Sequence, residues 1–427
     1  MRILFLVHRV PYPPNKGDKI RALWELKSLA GEHEIDLFCF YDHEEDRDSI
    51  EALRPYCHDC YAEPLSWWSS RWRALLAAVW RRPFSLGYFY STRMARRVKQ
   101  ALATRHYDAV LVFSSSMAQY VETETAIPRI LDMVDVDSAK WSDYAKSAPA
   151  LLRWLWRQEG RVLAEYEYRI ANSFDQTLLC TDAEAALLQR RAPRAPISVL
   201  RHMVDTDYFD PAKSRVPDDL VRWQPYVVFS GSMDYAPNVE AVEWFYRNTL
   251  PLLRARIPEI KFVIAGRNPA KAVMGLGKDP AVLVTGSVPD VRPYLRGAAV
   301  AVAPMQLARG VQNKILESMA MGLPVAASSK AAVAFPREVA RLIVVEDDAT
   351  ALASKLAVMI QAGPQPPVAR IREGLQNVYG ATSLKNQLEE ILVEATSKEL
   401  RKQRTERVTD ISERLKSGWR SKTAGQR

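Results

Sequence analysis

The stretch ARGVQNKILESMAMGLPVAAS, Ala308–Ser328, carries two oppositely charged side chains one helical turn apart, Lys314 and Glu317. It follows the apolar run AVAVAPM at Ala299–Met305, which is typical of a buried strand. Gly322 predicts the end of a helix and Pro324 the start of the next strand. The stretch therefore predicts a strand, a loop and a helix that places a cation and an anion on one face at the edge of a sheet.

The same alternation of short β-branched runs and longer helical patterns extends along the chain. The predicted strands are Ile3–His8, Glu34–Tyr41, Ala109–Ser114, Arg129–Val134, Gln176–Cys180, Ser198–Leu200, Tyr226–Ser230, Lys261–Ala265, Val282–Thr285, Val300–Ala303, Pro324–Ala327 and Leu342–Val345. Helices such as Asn238–Arg256 and Lys314–Met321 lie between them. Strands separated by helices form parallel sheets with right-handed crossovers.

We therefore predict an α/β fold of two Rossmann-like, doubly wound parallel-sheet domains that face a cleft. Two domains also suit a chain of 427 residues. The predicted boundaries are an N-terminal domain at 1–204, a linker at 205–224, a C-terminal domain at 225–395 and a basic tail at 396–427. Ligands of such sheets bind outside the carboxyl ends of the strands.

The net charge of +9 is spread unevenly. Residues 398–427 hold ten Lys or Arg and four Asp or Glu, and residues 64–107 hold nine Arg or Lys and no acidic residue. The second segment also contains Trp67, Trp68, Trp72 and Trp80. Arginine interleaved with tryptophan favours an anionic membrane surface. Core aromatics on amphipathic helices are the alternative; nucleic acid is not expected, since no recognition motif for it is present.

The chain has no run of apolar residues long enough to span a bilayer, and the apolar part of MRILFLVHRVPYPPNKGD is too short for a signal peptide. We therefore expect a cytoplasmic protein, peripheral at the inner face of the membrane. The CHDC stretch, with Cys57 and Cys60, has no second CxxC or HxxxH to complete four metal ligands. Structural cysteines, and no metal or cofactor, are expected.

The loop at Arg309 and Gly310 precedes the predicted helix, so its backbone N–H groups and the helix dipole favour an anion. Lys314 supplies a point charge for phosphate, and Glu317 can accept hydrogen bonds from two vicinal hydroxyls of a ribose. The alternative is a solvated Lys–Glu pair, which is common on helices.

Several segments of the second half resemble, in order, the donor-binding domain of the retaining family 4 glycosyltransferases of GT-B fold. These segments are MVDTDYFDP, FSGSMDYAPNVEAVEWF, FVIAGRNP, VLVTGSVPDVRPYL and NKILESMAMGLPVAAS. In the first half, HRVPYPPNKGDKIR and LDMVDVDSAKW resemble the sugar transferases associated with PEP-CTERM/exosortase exopolysaccharide systems.

The resemblance implies a hexosyltransferase that moves a sugar from a nucleotide-diphosphate donor to a lipid-linked or saccharide acceptor, with retention and without a metal. Arg267, Arg309 and Lys314 would stabilise the leaving diphosphate, together with the helix N-terminus near Gly310. Gly17 would lie against the donor phosphates, Val288–Asp290 would line the base pocket, and Glu317 would hold the ribose. Asp135 follows a strand and is a candidate for orienting or deprotonating the acceptor hydroxyl, with a helix N-cap as the alternative.

The sequence also departs from the family pattern. Arg309 stands where the first of two glutamates is usual, eight residues before Glu317. Ser232 and, nearby, Asn238 replace an Arg/Lys pair that often binds diphosphate. His8 is expected to be a core or rim histidine, and Asp205-Thr206-Asp207 a turn rather than a metal site.

Three rival functions remain open at this point. A nucleotide-sugar epimerase would share the architecture, and a non-catalytic membrane-surface scaffold would keep the fold alone. A Rossmann dehydrogenase is disfavoured, since the first strand–helix turn lacks GxGxxG.

Overall fold

The computed structural model describes residues 1–14, 16–42, 49–147, 149–308, 310–362 and 368–397, which fall into two compact units. Unit 1 comprises Met1–Cys180, Glu184–Leu200 and the described residues from Lys385 onward, and unit 2 comprises Thr181–Ala183 and Arg201–Leu384. The sequence analysis continued the second domain to residue 395. In the structure the chain returns to unit 1 about one helical turn into its last described helix.

Unit 1 contains a seven-stranded parallel sheet of order β3-β2-β1-β4-β5-β6-β7. Its strands are β1 Arg2–Val7, β2 Glu34–Tyr41, β3 Asp59–Pro64, β4 Ala109–Phe113, β5 Arg129–Val134, β6 Gln176–Leu179 and β7 Ile197–Val199. The helices among them are α1 Gly17–Ala30, α2 Trp67–Val79, α3 Phe84–Tyr88, α4 Thr92–Thr104, α5 Asp137–Ser147, α6 Ala150–Ser173 and α7 Asp182–Arg191, with short 3₁₀ turns at Glu51–Tyr56 and Ser115–Tyr120.

Unit 2 contains a six-stranded parallel sheet of order β10-β9-β8-β11-β12-β13. Its strands are β8 Tyr226–Ser230, β9 Lys261–Ala265, β10 Val282–Gly286, β11 Val300–Ala303, β12 Val325–Ala327 and β13 Ile343–Val345. The helices are α8 Asp218–Val221, α9 Ala236–Trp244, α10 Leu250–Arg254, α11 Lys271–Leu276, α12 Arg292–Gly297, α13 Asn313–Ala320, α14 Ser329–Ala332, α15 Arg337–Ala340, α16 Ala349–Ala362 and α17 Val368–Tyr379; α18, Ala381–Thr396, follows them.

The predicted fold class of two doubly wound α/β sheets is confirmed, and the predicted strands lie within one residue of the observed ones. Their continuous apolar runs are explained by burial: every residue of β4 and β8 is buried. A parallel sheet is covered on both faces, so it selects apolar residues at successive positions. The exception is β3, which the sequence analysis missed because this edge strand has no β-branched residue and only one fully buried position.

The helix predicted over Asn238–Arg256 is interrupted. It consists of α9, a π-helical turn at Phe245–Thr249, and α10. Pro251 lies in the first turn of α10. N–H groups in the first turn of a helix have no intrahelical acceptor, so proline is tolerated there. The hydrogen-bond pattern therefore changes just ahead of this proline.

The tryptophans of the basic segment, residues 64–107, differ in exposure from two tryptophans further along the chain. Trp67, Trp68, Trp72 and Trp80 are 51%, 70%, 63% and 76% exposed, so they are not core residues. By contrast, Trp141 and Trp156 stack at 4.9 Å and both contact Phe84. In the described ranges, no helix combines the length and apolar character needed to cross a membrane. The basic tail from residue 398 onward lies outside the described residues.

Candidate functional site

The strand order of unit 2 reverses between β8 and β11, and two loops that contain several polar residues begin at that point. Residues 231–235 connect β8 to α9, and residues 304–312 connect β11 to α13. Because both strands are parallel, both loops leave from the same edge of the sheet. Ligands of doubly wound sheets bind at such a reversal.

Lys314 lies in the first turn of α13 and reaches the first turn of α9. Its Nζ donates to Asn238 Oδ1 at 3.0 Å and to Gln312 Oε1 at 3.3 Å, and it lies 5.0 Å from the centre of the Phe229 ring. Burial lowers the pKa of Lys314 to about 8, although the charge of Glu317 opposes this shift. An ammonium group is thus held near the carboxyl ends of β8 and β11.

Arg267 is connected to the same loop through Ser232. The Nε of Arg267 donates to Ser232 Oγ at 3.1 Å, and Asn238 Nδ2 donates to the carbonyl oxygen of Ser232 at 2.8 Å. Ser232 Oγ in turn donates to Asp234 Oδ1 at 2.8 Å. The structure therefore brings Lys314 to Asn238 and Arg267 to Ser232, and these two polar residues are themselves joined by a hydrogen bond.

Two glycines allow these loops to come together. A Cβ on Gly266 would lie 1.6 Å from the carbonyl oxygen of Gly231, so no side chain fits at this position. Gly231 has φ +149°, and a Cβ there would lie 2.8 Å from Asn238 Nδ2. Gly310 has φ +62°, a left-handed conformation that favours glycine. Its neighbour Arg309, the third predicted cation, lies outside the described residues.

Glu317 lies one turn after Lys314 on α13 and is half-buried, as is Lys314. Burial raises the pKa of Glu317, and the charge of Lys314 opposes this effect. The helix ends as predicted at Gly322, which has φ +71°, and Leu323 N donates to the carbonyl oxygen of Ser318 at 2.9 Å. The pair is thus more buried than the solvated Lys–Glu pair that the sequence left open.

The segment after β10 contains Val288, which is half-buried, and Asp290. Asp290 is held by Arg292, whose Nε lies 3.0 Å from both of its carboxylate oxygens. The guanidinium carbon of Arg292 lies 3.9 Å from the centre of the Tyr208 ring. Because both carboxylate oxygens of Asp290 accept from Arg292, a ligand at this segment would contact mainly backbone atoms. The sequence analysis missed Tyr208 and Arg292, whose only signal was the family resemblance of the two segments.

In unit 1, Asp135 follows β5 directly. The thiol of Cys180 donates to Asp135 Oδ1 at 2.9 Å, and Lys140 Nζ lies 3.2 Å from Oδ2. Lys140 also lies 3.0 Å from Asp137 Oδ1, so one ammonium joins both carboxylates of the Asp135-Val136-Asp137 motif. Burial lowers the pKa of Lys140, but Asp137 and Asp135 together raise it well above its ordinary value.

The backbone before Asp135 is strained. Val134 has φ +67°, and the pairing of β5 with β6 shifts register between Asp132 and Val134. A β-branched residue in this conformation is rare, and such outliers concentrate at functional sites.

Gly17 is the first residue of α1, after Lys16 in an extended conformation. The carboxylate of the next residue, Asp18, lies 3.2 Å from His8 Nε2. Burial raises the pKa of Asp18, but the hydrogen bond from His8 opposes burial, and the net pKa is lower than usual. His8 also stacks on Phe113 at 5.8 Å, as expected for a rim histidine. The predicted role of Gly17 stays a prediction.

No cluster of three or more His, Cys, Asp or Glu side chains within the described parts of the chain is arranged to hold a metal ion. At Asp205-Thr206-Asp207, Asp205 Oδ1 accepts from the backbone N–H groups of Asp207 and Tyr208 at 3.1 and 2.8 Å. These are the hydrogen bonds of an Asx turn, as predicted for this motif.

Comparison with known proteins identifies the class of this chain. Residues 224–362 match the family described as "Glycosyl transferases group 1". No curated protein matches the chain. Among solved structures, it is similar to a sucrose-phosphate synthase from Thermosynechococcus elongatus, with a TM-score of 0.66 and 16% identity over 92% of this chain and 98% of that one.

Two further structures are similar over nearly their whole length. HepE of Anabaena, in complex with UDP, has a TM-score of 0.60 and 12% identity over 92% of this chain and 99% of that one. TarM has a TM-score of 0.62 and 11% identity over 93% and 99%. These likenesses confirm the fold. Residues 224–362 are therefore a glycosyltransferase group 1 domain, and the chain is a glycosyltransferase with the GT-B fold.

Proposed function

We propose that the loops after β8 and β11 bind the diphosphate of a nucleotide-sugar donor. The observation that carries this proposal is that Lys314 and Arg267 are connected through hydrogen-bonded Asn238 and Ser232, next to the strand reversal. The Anabaena structures that share the fold contain UDP and UDP-glucose, which supports a donor of this kind.

The chemistry follows from charge. As the sugar leaves, negative charge develops on the diphosphate, and preorganised cations and helix N–H groups stabilise it. Lys314 and Arg267 supply the described cations, the N-terminus of α13 supplies N–H groups, and Arg309 would add a third cation. Glu317 holds the ribose through its hydroxyls. The reaction proceeds with retention, as the family resemblance implies, and without a metal.

In unit 1, we assign Asp135 to the acceptor hydroxyl, which it orients or deprotonates. Its pairing with Lys140 fixes one carboxylate oxygen, and the hydrogen bond from Cys180 fixes the other. A positioned carboxylate of this kind is suited to general base catalysis. The strained backbone at Val134 supports this assignment.

The acceptor is a lipid-linked or saccharide intermediate of exopolysaccharide synthesis, met at the cytoplasmic face of an anionic membrane. The exposed side chains of Trp67, Trp68, Trp72 and Trp80 support this proposal, because indole favours the headgroup layer. Trp154 is 68% exposed, and Gln158, one turn further along α6, donates to the carbonyl oxygen of Ala78 at the end of α2. The aromatic surface thus extends over two neighbouring helices.

A thermal-shift screen with UDP, GDP, ADP and dTDP and their sugars tests the donor assignment. A ligand that binds the native state raises its stability with the logarithm of its concentration over Kd. Lys314→Ala should reduce the shift from the best nucleotide, whereas Lys278→Ala, which removes an exposed lysine of the same unit, should retain it. An equal shift in both variants would refute the role of Lys314.

The same reagents separate the rivals. A nucleotide-sugar epimerase converts the donor without an acceptor, whereas a transferase hydrolyses it slowly at most. A scaffold that kept the fold alone shows no nucleotide affinity by calorimetry.

A further inference from the structure

A cavity of about 350 Å³ lies at the carboxyl ends of β2 and β3 in unit 1. Its size is at the lower end of the range for small-molecule sites. The polar residues that line it include Glu63, Ser66, Ser69, Arg73, Arg93 and Arg96. They come from β3, from the first turns of α2 and from the first turns of α4.

The cavity is positively charged. Three arginines line it against one glutamate, which leaves a net charge of +2. Glu63 is 7% exposed, and its carboxylate already accepts from Ser91 Oγ at 2.5 Å and from Tyr61 Oη at 3.3 Å. Both of its oxygens thus accept from protein hydroxyls, and the three guanidinium groups outnumber its single negative charge.

Arg73 contributes a guanidinium group to the lining of this cavity. Its buried Nε has no hydrogen-bond partner among the described residues, and only one further contact of its guanidinium is found, from Nη2 to Ser70 Oγ at 3.0 Å. The planar guanidinium is the side chain best matched to phosphate oxygens.

Helix α2 carries the cavity on one face and an apolar surface on the next. Ser66, Ser69 and Arg73 are spaced three and four residues apart, so they lie on one face and line the cavity. Trp68, Trp72, Leu75 and Leu76 follow the same spacing on the adjacent face and are 70%, 63%, 55% and 54% exposed. A phosphate in the cavity would thus have a hydrocarbon-binding surface beside it.

We infer that this cavity binds the phosphate group of the lipid that carries the acceptor, with the lipid chain lying along the exposed apolar face of α2. This inference rests on the proposed function, because it names the chemical class of the acceptor. The complementary charge of the cavity selects the phosphate, and the tryptophans beside it select the chain.

Isothermal titration calorimetry of the full chain tests the inference, with farnesyl diphosphate and inorganic pyrophosphate as probes. The double variant R93A/R96A should weaken the binding of both probes by about tenfold or more, since charge-assisted hydrogen bonds are lost. Lys99→Ala, which removes an exposed cation of the same helix outside the cavity, should bind both probes like the wild type. The double variant W68A/W72A should weaken farnesyl diphosphate and leave pyrophosphate unchanged.

A further variant, at a single partly exposed position, tests the cavity in case R93A/R96A fails to fold. Ser69→Glu places a negative charge in the cavity at a partly exposed position and should prevent binding of both probes. Equal affinity for farnesyl diphosphate in Ser69→Glu, R93A/R96A and wild type would overturn the inference. So would arginine-dependent binding to phosphatidylglycerol vesicles without any affinity for farnesyl diphosphate, because bulk lipid would then be the ligand.

Nucleotide titrations of the same proteins separate this inference from the donor assignment. The cavity variants should bind the donor nucleotide like the wild type, and Lys314→Ala should bind farnesyl diphosphate like the wild type. If the wild type does not bind any nucleotide, the donor site is refuted. The lipid-phosphate site is then tested separately by farnesyl diphosphate binding to the cavity variants.

Discussion

The charge state of Lys314 makes donor binding depend on pH in a way that can be calculated. Burial lowers the pKa of this ammonium group to about 8 in the structure without a donor. A diphosphate bound beside it favours the charged form and raises the pKa again. Donor binding above neutral pH therefore requires a proton to be taken up at Lys314.

The size of the effect follows from the protonated fraction. A group with a pKa of about 8 is roughly nine-tenths protonated at pH 7 and roughly one-tenth protonated at pH 9. The affinity for the donor nucleotide should therefore fall by about tenfold between these pH values, or about 1.4 kcal/mol. The terminal phosphate of the nucleotide does not contribute to this change, because its second pKa is about 6.

Calorimetry can measure both the affinity and the proton uptake. Titrations at about pH 8 in buffers of different ionisation enthalpy should show uptake of roughly half a proton per nucleotide bound. Lys314→Ala should lose about 1.5–3 kcal/mol of binding free energy at neutral pH, as for other hydrogen bonds to charged groups. Its remaining affinity should not change between about pH 7 and about pH 9. Lys278→Ala is the control and should follow the wild type.

An affinity that is independent of pH in the wild type, or that falls equally in Lys314→Ala, would refute the reasoning. The first result would mean that Lys314 is already neutral or does not meet the diphosphate. The second would assign the titration to another group.

Other consequences of the structure can be tested with single substitutions. Glu317→Ala should remove the preference for the ribo- over the 2′-deoxyribo-form of the donor nucleotide, measured as the ratio of Kd values; an unchanged ratio would place the ribose elsewhere. Gly266→Ala should lower the free energy of unfolding by about 1–3 kcal/mol in a urea titration, because its Cβ would overlap the carbonyl oxygen of Gly231; a neutral effect would mean that the two loops separate without cost. Burial raises the pKa of Glu167 to about 8, so its carboxyl group stays protonated to a higher pH in the folded state than in the unfolded state. The free energy of unfolding should therefore fall as pH rises from about 4.3 to about 8, and Glu167→Gln should flatten this slope. Asp135→Asn should reduce kcat and leave nucleotide affinity unchanged; a parallel loss of affinity would contradict its assignment to the acceptor.

Much of the local geometry around Lys314 and Glu317 was predictable from local pattern. Lys314 and Glu317 were placed on one helix face from their spacing, and the structure has them on α13, which starts one residue earlier than predicted. Gly322 ends that helix as a left-handed glycine. These features depend on residues within one or two helical turns, so the sequence alone contains the necessary information.

The contacts between distant segments were not predictable in this way. Nothing in the sequence indicates that Lys314 donates to Asn238, 76 positions away, or that Arg267 reaches Ser232. These pairs depend on the order of strands in the sheet, which places β8 between β9 and β11. The edge strand β3, with its single buried position, was missed for a related reason: only its neighbour β2 makes it a strand.

The return of the chain to unit 1 depends most clearly on contacts between residues that are distant in the sequence. In α18, Lys385 Nζ donates to Glu32 at 2.6 Å, Gln387 Nε2 donates to the carbonyl oxygen of Val199 at 2.8 Å, and Glu389 lies 2.8 Å from His33. The helix itself follows from local propensity, but its partners lie about half a chain or more earlier in the sequence.

The sequence by itself determined the alternation of strands and helices, and hence two parallel α/β sheets, because burial on both faces of a sheet leaves a continuous apolar run that can be read locally. It also determined which charged residues share a face of α13. Only the tertiary structure decided which of these residues meet, because the order of strands and the packing of helices depend on contacts between segments that no local pattern records. The hydrogen bonds of Ser232 with Arg267 and Asn238, and the arginine-lined cavity beside α2, both belong to this second class.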